Sequence, residues 1–227
     1  LNESDITKDQ IISDKVLGGV SHAYFDKESA KIYAAVNYPG KIPHIAEIDL
    51  VSGKVKRLQD VKGPALFNVT SLIFDKKNKI LYYTSDNDSR RDLNSYNLIT
   101  GQSKLLQKDF RIGDLAFNKT DESIWGVKHL NGISTLVRIP KKDPEEPEKN
   151  YSTWEQKYTL PFGSDMFDMD ISPDGKHLSA AVTDLNSNQY LRIFEINSFD
   201  SGDFKDIKYR EVGNFEVSSP QSFKYTD

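Results

Sequence analysis

The chain has 227 residues, 37% of them hydrophobic and 11% aromatic, which is enough to build a core and too much for global disorder. Thirty Lys and Arg against 34 Asp and Glu leave a formal charge of −4, so the balance gives no electrostatic footprint for nucleic acid or an anionic membrane. Cysteine is absent, which excludes disulfides, zinc–thiolate sites and thiol catalysis, and no apolar run approaches the roughly 18 residues that a membrane helix needs.

The first residue is Leu1 rather than Met, as in a processed or shortened start, and zero cysteines suit a cytoplasm or a bacterial periplasm equally. Near that start, Ile6, Ile11, Ile12 and Leu17 could line one face of a helix. We read "QIISDKV" instead as an outer β-strand left from a preceding repeat.

From His22 onward one cadence recurs: "HAYFDKESAKIYAAV", "SLIFDKKNKILYYTS" from Ser71, "DLAFNKTDESIWGVK" from Asp114 and "DMDISPDGKHLSAAV" from Asp168. Each is an apolar strand, a polar turn and a second apolar strand. The last large apolar residue before the turn is Phe25, Phe74, Phe117 and Ile171 in order, and "SPQSFKYTD" places Phe223 in the same register. These anchors are roughly 40 to 55 residues apart, the period of a four-stranded propeller blade.

The second half of the repeat agrees. "HIAEIDLVSGKVKRL" from His44 and "DLNSYNLITGQSKLL" from Asp92 align without a gap, Ile48 with Tyr96, Gly53 with Gly101 and Leu58 with Leu106. "STLVRIP" from Ser134 and "YLRIFEI" from Tyr190 supply the third strand of later units, followed by the long loops "KKDPEEPEKN" and "NSFDSGDFKD". The units run over about 21–68, 69–111, 112–165 and 166–216, with a fifth beginning at 217, all within one domain, 1–227.

The acidic stretch Asp168, Asp170, Asp174 with Gly175 invites a calcium-loop reading. Its slot matches turns in the other units that could hold no ion, and the ligand spacing of a calcium loop is not met. Asp174-Gly175 reads as a two-residue hairpin signal.

"SPDGK" between short apolar strands, followed by a "YNLITGQSKLL" hairpin, resembles the repeat of the TolB-like β-propeller family. The resemblance extends over Ser21 to Asp227, with the full turn motif only in the fourth unit. It implies an all-β propeller of about four visible four-stranded blades plus the start of a fifth. That count leaves the last blade two strands short, as in a piece of a larger propeller, an open arc or an irregular closure, and we favour the first. It also implies a periplasmic, outer-membrane-associated or secreted setting.

Chemistry is sparse. There is no Gly-x-Ser-x-Gly elbow, no His-Glu-x-x-His and no phosphate-cradling glycine loop, although "VLGGV" holds two glycines. His22, His44, His129 and His177 fall on strand edges or turns rather than in ligand spacing. We therefore expect no catalytic residues, no metal and no cofactor in this chain. The leading ends of first strands in a propeller open on one face. The positions there include His22, Ser71, Asp114, Asp165 and Asp168. Asp114, Asp165 and Asp168 would form an acidic mouth for a cation or a basic peptide, or would simply cap loops by accepting backbone N–H groups. Tyr38, Tyr82, Tyr83, Trp125 and Trp154 suggest an aromatic surface, though Tyr82 and Trp125 fall where core residues belong.

The expected function is a non-catalytic platform for a protein or peptide. The alternatives are a substrate-gating propeller of a larger peptidase and, with Arg90 and Arg91 in its support, a saccharide-binding propeller. Unpaired strand edges near the termini would let the chain self-associate.

Overall fold

The computed structural model describes residues 19–37, 41–61, 68–86, 91–141, 153–215 and 224–225. The expected N-terminal strand, Tyr38, Arg90, most of the charged loop after Lys141 and the fifth-unit anchor Phe223 lie outside the described residues. Two compact units divide the chain, Leu1–Val69 and Thr70–Asp227.

The first unit holds one antiparallel meander: β1 (Gly19–Asp26), β2 (Lys31–Asn37), β3 (His44–Asp49) and β4 (Val55–Asp60). Ala34, Val36 and Ala46 form its apolar centre, with Ile32 and Ile48 packed against them. The β1–β2 register shifts between Val20 and His22, so Ser21 is the extra residue of a β-bulge.

Three further meanders follow in chain order. The second sheet has β5 (Asn68–Asp75), which starts at the unit boundary, then β6 (Ile80–Asp86), β7 (Arg91–Asn97) and β8 (Gln102–Gln107). The third has β9 (Ile112–Phe117), β10 (Ile124–Leu130), β11 (Ile133–Ile139) and β12 (Glu155–Thr159). The fourth has β13 (Asp165–Ile171), β14 (His177–Thr183), β15 (Gln189–Glu195) and β16 (Tyr209–Phe215). Each sheet is thus a four-stranded propeller blade with its first strand at one edge.

Turn chemistry explains the cadence. In the β3–β4 turn the Asp49 carboxylate accepts the N–H groups of Val51 and Ser52, and Gly53 closes the turn at φ +68°. In the β7–β8 turn Asn97 Oδ1 accepts from Ile99 and Thr100, with Gly101 at φ +70°. An Asx side chain before the turn and a glycine in left-handed backbone after it make one device, used twice. The first hairpins use another: Asp26, Asp75 and Asn118, each following the anchor aromatic, are buried polar residues. Asp26 accepts from Ser29 Oγ, Asp75 from the Asn78 amide and Asn118 from the Thr120 amide.

The "SPDGK" turn is longer than its sequence suggests. Five residues separate Ile171 from His177, not two. Gly175 N donates to Ser172 O and Ser172 N to His177 O. Pro173 and Asp174 therefore occupy the middle of a turn, and Gly175, at φ +70°, adds the left-handed residue of a bulge. The proline, with its fixed φ, selects this form over a two-residue loop. Asp174 is spent on Ser172 Oγ and the Lys176 amide, and Asp170 on the Tyr225 amide. Among the described residues no group of three or more His, Cys, Asp or Glu is arranged to hold a metal ion.

The core of the second unit lies between blades. Ile73, Tyr82 and Leu93 of the second sheet pack on Ile112, Leu115, Ile124, Val137 and Ile139 of the third, joined by Phe110. The other face of the third sheet, with Trp125, Val127 and Leu136, packs on Met166, Met169, Leu178, Phe194 and Phe199. Trp125 is 1% exposed, and its indole N–H donates to Ser123 Oγ. Both Trp125 and Tyr82 are core residues, as their second-strand positions imply. Of the repeat anchors, Phe74 and Ile171 are buried, Phe117 is half-buried and Phe25 is exposed. Among the described residues no helix is long and apolar enough to cross a membrane.

Candidate functional site

The third and fourth blades bring their inner strands, β9 and β13, side by side. Each carries a bulge near its entry. The β9–β10 register shifts between Trp125 and Val127, and Asp114 stands in the shifted stretch at φ +48°. The β13–β14 register shifts between Phe167 and Met169, and Asp168 is the extra residue at φ +46°. Left-handed backbone is unusual for a residue with a side chain and is best tolerated by Asp and Asn. The bulge turns each aspartate out of the regular alternation of the strand.

His129 completes the arrangement from β10. Its Nε2 lies 3.5 Å from Asp114 Oδ2 and its Nδ1 lies 3.3 Å from Asp165 Oδ1. The Ser134 hydroxyl donates to Asp165 Oδ1 at 2.6 Å and also lies 3.1 Å from His129 Nδ1. Asp165 accepts the Met166 amide, and Asp114 accepts the Asp168 amide at 3.3 Å. Hydrogen bonding to the Asp114 and Asp165 carboxylates pushes the His129 imidazole up to about 9, against the cost of its partial burial. The imidazolium in turn holds the Asp165 carboxyl down to about 2, helped by Ser134 and the Met166 amide.

A serine, a histidine and an aspartate within reach of one another prompt the question of a nucleophile. In this arrangement the serine and the histidine are both already engaged. Ser134 is buried, and its hydroxyl proton already points to Asp165. An imidazole protonated at neutral pH has no lone pair left with which to accept that proton. The constellation holds charge.

The residues singled out in the sequence divide as follows. Asp114 and Asp165 meet at His129, and Asp168 is tied to Asp114 through its amide. Asp114 and Asp165 each also accept a backbone N–H, as loop-capping carboxylates do. Ser71 is buried, and its Oγ accepts the Leu115 amide at 2.8 Å, fastening β5 to β9. His22 lies in β1 of the first unit, paired in register with Ala35 beside the Ser21 bulge. Arg91 is held by Asp86 at 3.0 Å. Trp154 is half-buried, with the Lys128 ammonium 4.4 Å from its ring centre.

His129 is the residue that strand-by-strand reading missed. A signal for it exists: Asn131 and Gly132 form a two-residue hairpin with both φ values positive, 53° and 75°. That turn forces Leu130 opposite Ile133 and His129 opposite Ser134, as observed. The two carboxylates come from other strands, and no local pattern announces them.

No protein-family model and no curated protein sequence matches the chain. Solved structures do match in fold. TolB from Acinetobacter baumannii is 15% identical with a TM-score of 0.68, over 89% of this chain and 46% of that one. An oligogalacturonate lyase in complex with manganese is 10% identical, TM-score 0.59, over 90% and 56%. A structure of a nidogen/laminin complex is 14% identical, TM-score 0.60, over 91% and 66%. The chain therefore spans about half the length of the first two structures it resembles. At these identities the likeness establishes the β-propeller fold, of the kind seen in TolB.

Proposed function

We propose that this chain is a β-propeller platform that binds a protein or peptide partner, and that a cationic group of the partner docks at the Asp114, Asp165 and Asp168 end of the inner strands. The observation that carries this reading is the convergence of two inner-strand carboxylates on a single imidazolium. One positive charge against Asp114 and Asp165 leaves the trio negative, and the Asp165 side chain is 51% exposed. Two of the three carboxylate-bearing residues sit at bulges in left-handed backbone, the kind of strain that clusters at binding sites. Because Ser134 and His129 are committed as described, the same geometry favours binding over catalysis. The likeness to TolB supports a bacterial envelope or secreted protein as the setting.

The test is calorimetric titration with a synthetic peptide of alternating Lys and Gly, against its Glu and Gly counterpart, on the wild type and on D114N/D165N. Of the two peptides only the lysine one should bind the wild type; that binding should weaken with added salt and lose about tenfold or more in affinity in the double variant. Equal affinity for wild type and variant, or a preference for the glutamate peptide, rejects the reading.

A further inference from the structure

Three loops meet at the same end of the third and fourth blades, beside His129 and Asp165. They are the β10–β11 hairpin, the β12–β13 connection and the β14–β15 hairpin. Their apolar side chains face outward: Leu130 is 40% exposed, Ile133 39%, Phe162 71% and Leu185 63%. These residues are not scattered. The Gly163 amide donates to the Gly132 carbonyl, which joins the first two loops. A Cβ on Gly132 would stand 3.0 Å from the Phe162 ring, so that ring lies over the hairpin tip between Leu130 and Ile133. A Cβ on Gly163 would stand 3.3 Å from Leu185 Cδ2, which brings in the third loop. Isolated exposed apolar residues need no explanation, but a contiguous group of them marks an interaction surface.

Charge states what could cover it. The stretches 130–134, 160–165 and 183–189 contain two carboxylates, Asp165 and Asp184, and not one Lys or Arg, in a chain that has 30 of them. Asp184 accepts the Asn186 and Asn188 amides beside Leu185, and Asp165 lies three residues after Phe162. The surface is apolar and anionic together.

We infer that Leu130, Ile133, Phe162 and Leu185 form the docking surface for a partner segment in which an aromatic or aliphatic side chain adjoins a Lys or Arg. The apolar side chain covers Phe162 and Leu185, and the cation reaches Asp165. This rests on the platform reading and narrows its partner: basic charge alone binds weakly, and an apolar side chain beside it supplies the rest. An acidic segment meets like charge, and a polar one leaves the phenyl ring wet, so both bind less well.

Two peptides of equal charge test the inference, Lys-Phe-Gly-Leu-Arg-Gly and Lys-Ser-Gly-Ser-Arg-Gly, titrated into the wild type, F162S/L185S and D114N/D165N. Phe162 and Leu185 are exposed, so their replacement leaves the fold intact, and circular dichroism checks it. The apolar peptide should bind the wild type at least tenfold more tightly than the serine peptide. F162S/L185S should erase that difference while keeping the weaker, charge-driven binding. If both peptides bind the wild type alike, or the difference survives in F162S/L185S, the inference is wrong and the platform reading stands. If neither binds, both fail. A wild type that dimerises with rising concentration while F162S/L185S stays monomeric makes a second copy the occupant and overturns the inference.

Discussion

The Asp168 amide donates to the Asp114 carboxylate at 3.3 Å, and both residues hold left-handed backbone, at φ +46° and +48°. Two equivalent bulges in neighbouring blades are therefore latched to each other. A non-glycine residue in this region costs on the order of 1–3 kcal/mol, which the surrounding ladder must offset. The side chain that tolerates the conformation best is also the one that carries the charge, so local strain and electrostatics select the same residue type.

Substitutions at Asp168 should separate backbone from charge. Asp168→Asn keeps a short polar side chain that accepts positive φ, and should change stability by less than about 0.5 kcal/mol. Asp168→Val places a β-branched residue in the same conformation and should cost about 1–3 kcal/mol. Urea midpoints of the two variants check this; equal destabilisation would mean that the bulge relaxes on substitution.

Protonation of His129 should couple folding to pH in a defined window. Its folded pKa is about 9, raised from 6.5, so its contribution is complete below about 6.5 and is lost as pH climbs to 9. Asp165 is lowered from 3.8 to about 2, so its contribution is complete above about 3.8 and is lost as pH falls toward 2. The pair is best satisfied between pH 4 and 6.5. With half-exposed Asp165 screened by solvent, the alkaline loss should be on the order of 1–2 kcal/mol. His129→Gln should flatten that limb of the stability profile, and the imidazole Cε1 proton resonance should titrate well above pH 7 in the wild type. A midpoint near 6.5 would refute the ion pair.

Gly175 has two reasons to be glycine. Its φ is +70°, and a Cβ there would meet Asn118 Oδ1 and Thr120 Oγ1, both at 2.6 Å, from the adjacent blade's turn. Gly175→Ala should therefore destabilise by about 1–3 kcal/mol. Gly53 has nothing within 4 Å of its would-be Cβ, so Gly53→Ala should cost only the strain of positive φ, about 1 kcal/mol. Thermal unfolding of both variants gives the comparison.

Trp125 fixes the interface between the third and fourth blades. Its ring lies 5.7 Å from that of Phe199, and the Arg138 guanidinium carbon is 6.0 Å from its centre. Trp125→Ala should remove about 3–5 kcal/mol, and Trp125→Phe appreciably less, since it keeps most of the volume but abandons the bond to Ser123. Denaturant unfolding of both variants measures the difference.

The sequence by itself determined the repeat and hence the fold. Strand alternation, anchor spacing and the Asx–Gly turns are local, because a hairpin's register is set by the few residues that turn it. Asp49 with Gly53 and Asn97 with Gly101 would read the same in any protein. The acidic character of the inner-strand ends was legible for the same reason, since Asp114 and Asp168 occupy equivalent slots and Asp165 stands three residues before Asp168. Tertiary structure alone decided what those carboxylates do. Asp165 reaches His129 only because the fourth blade stacks on the third, and Ser71 is drawn off to hold Leu115. Phe162, one exposed residue in a loop when read along the chain, becomes part of a surface only when three loops converge. Pairing within a strand repeat is encoded over a few residues, whereas contacts between blades depend on packing across some 30 to 50 residues of intervening chain, where no period points from one partner to the other.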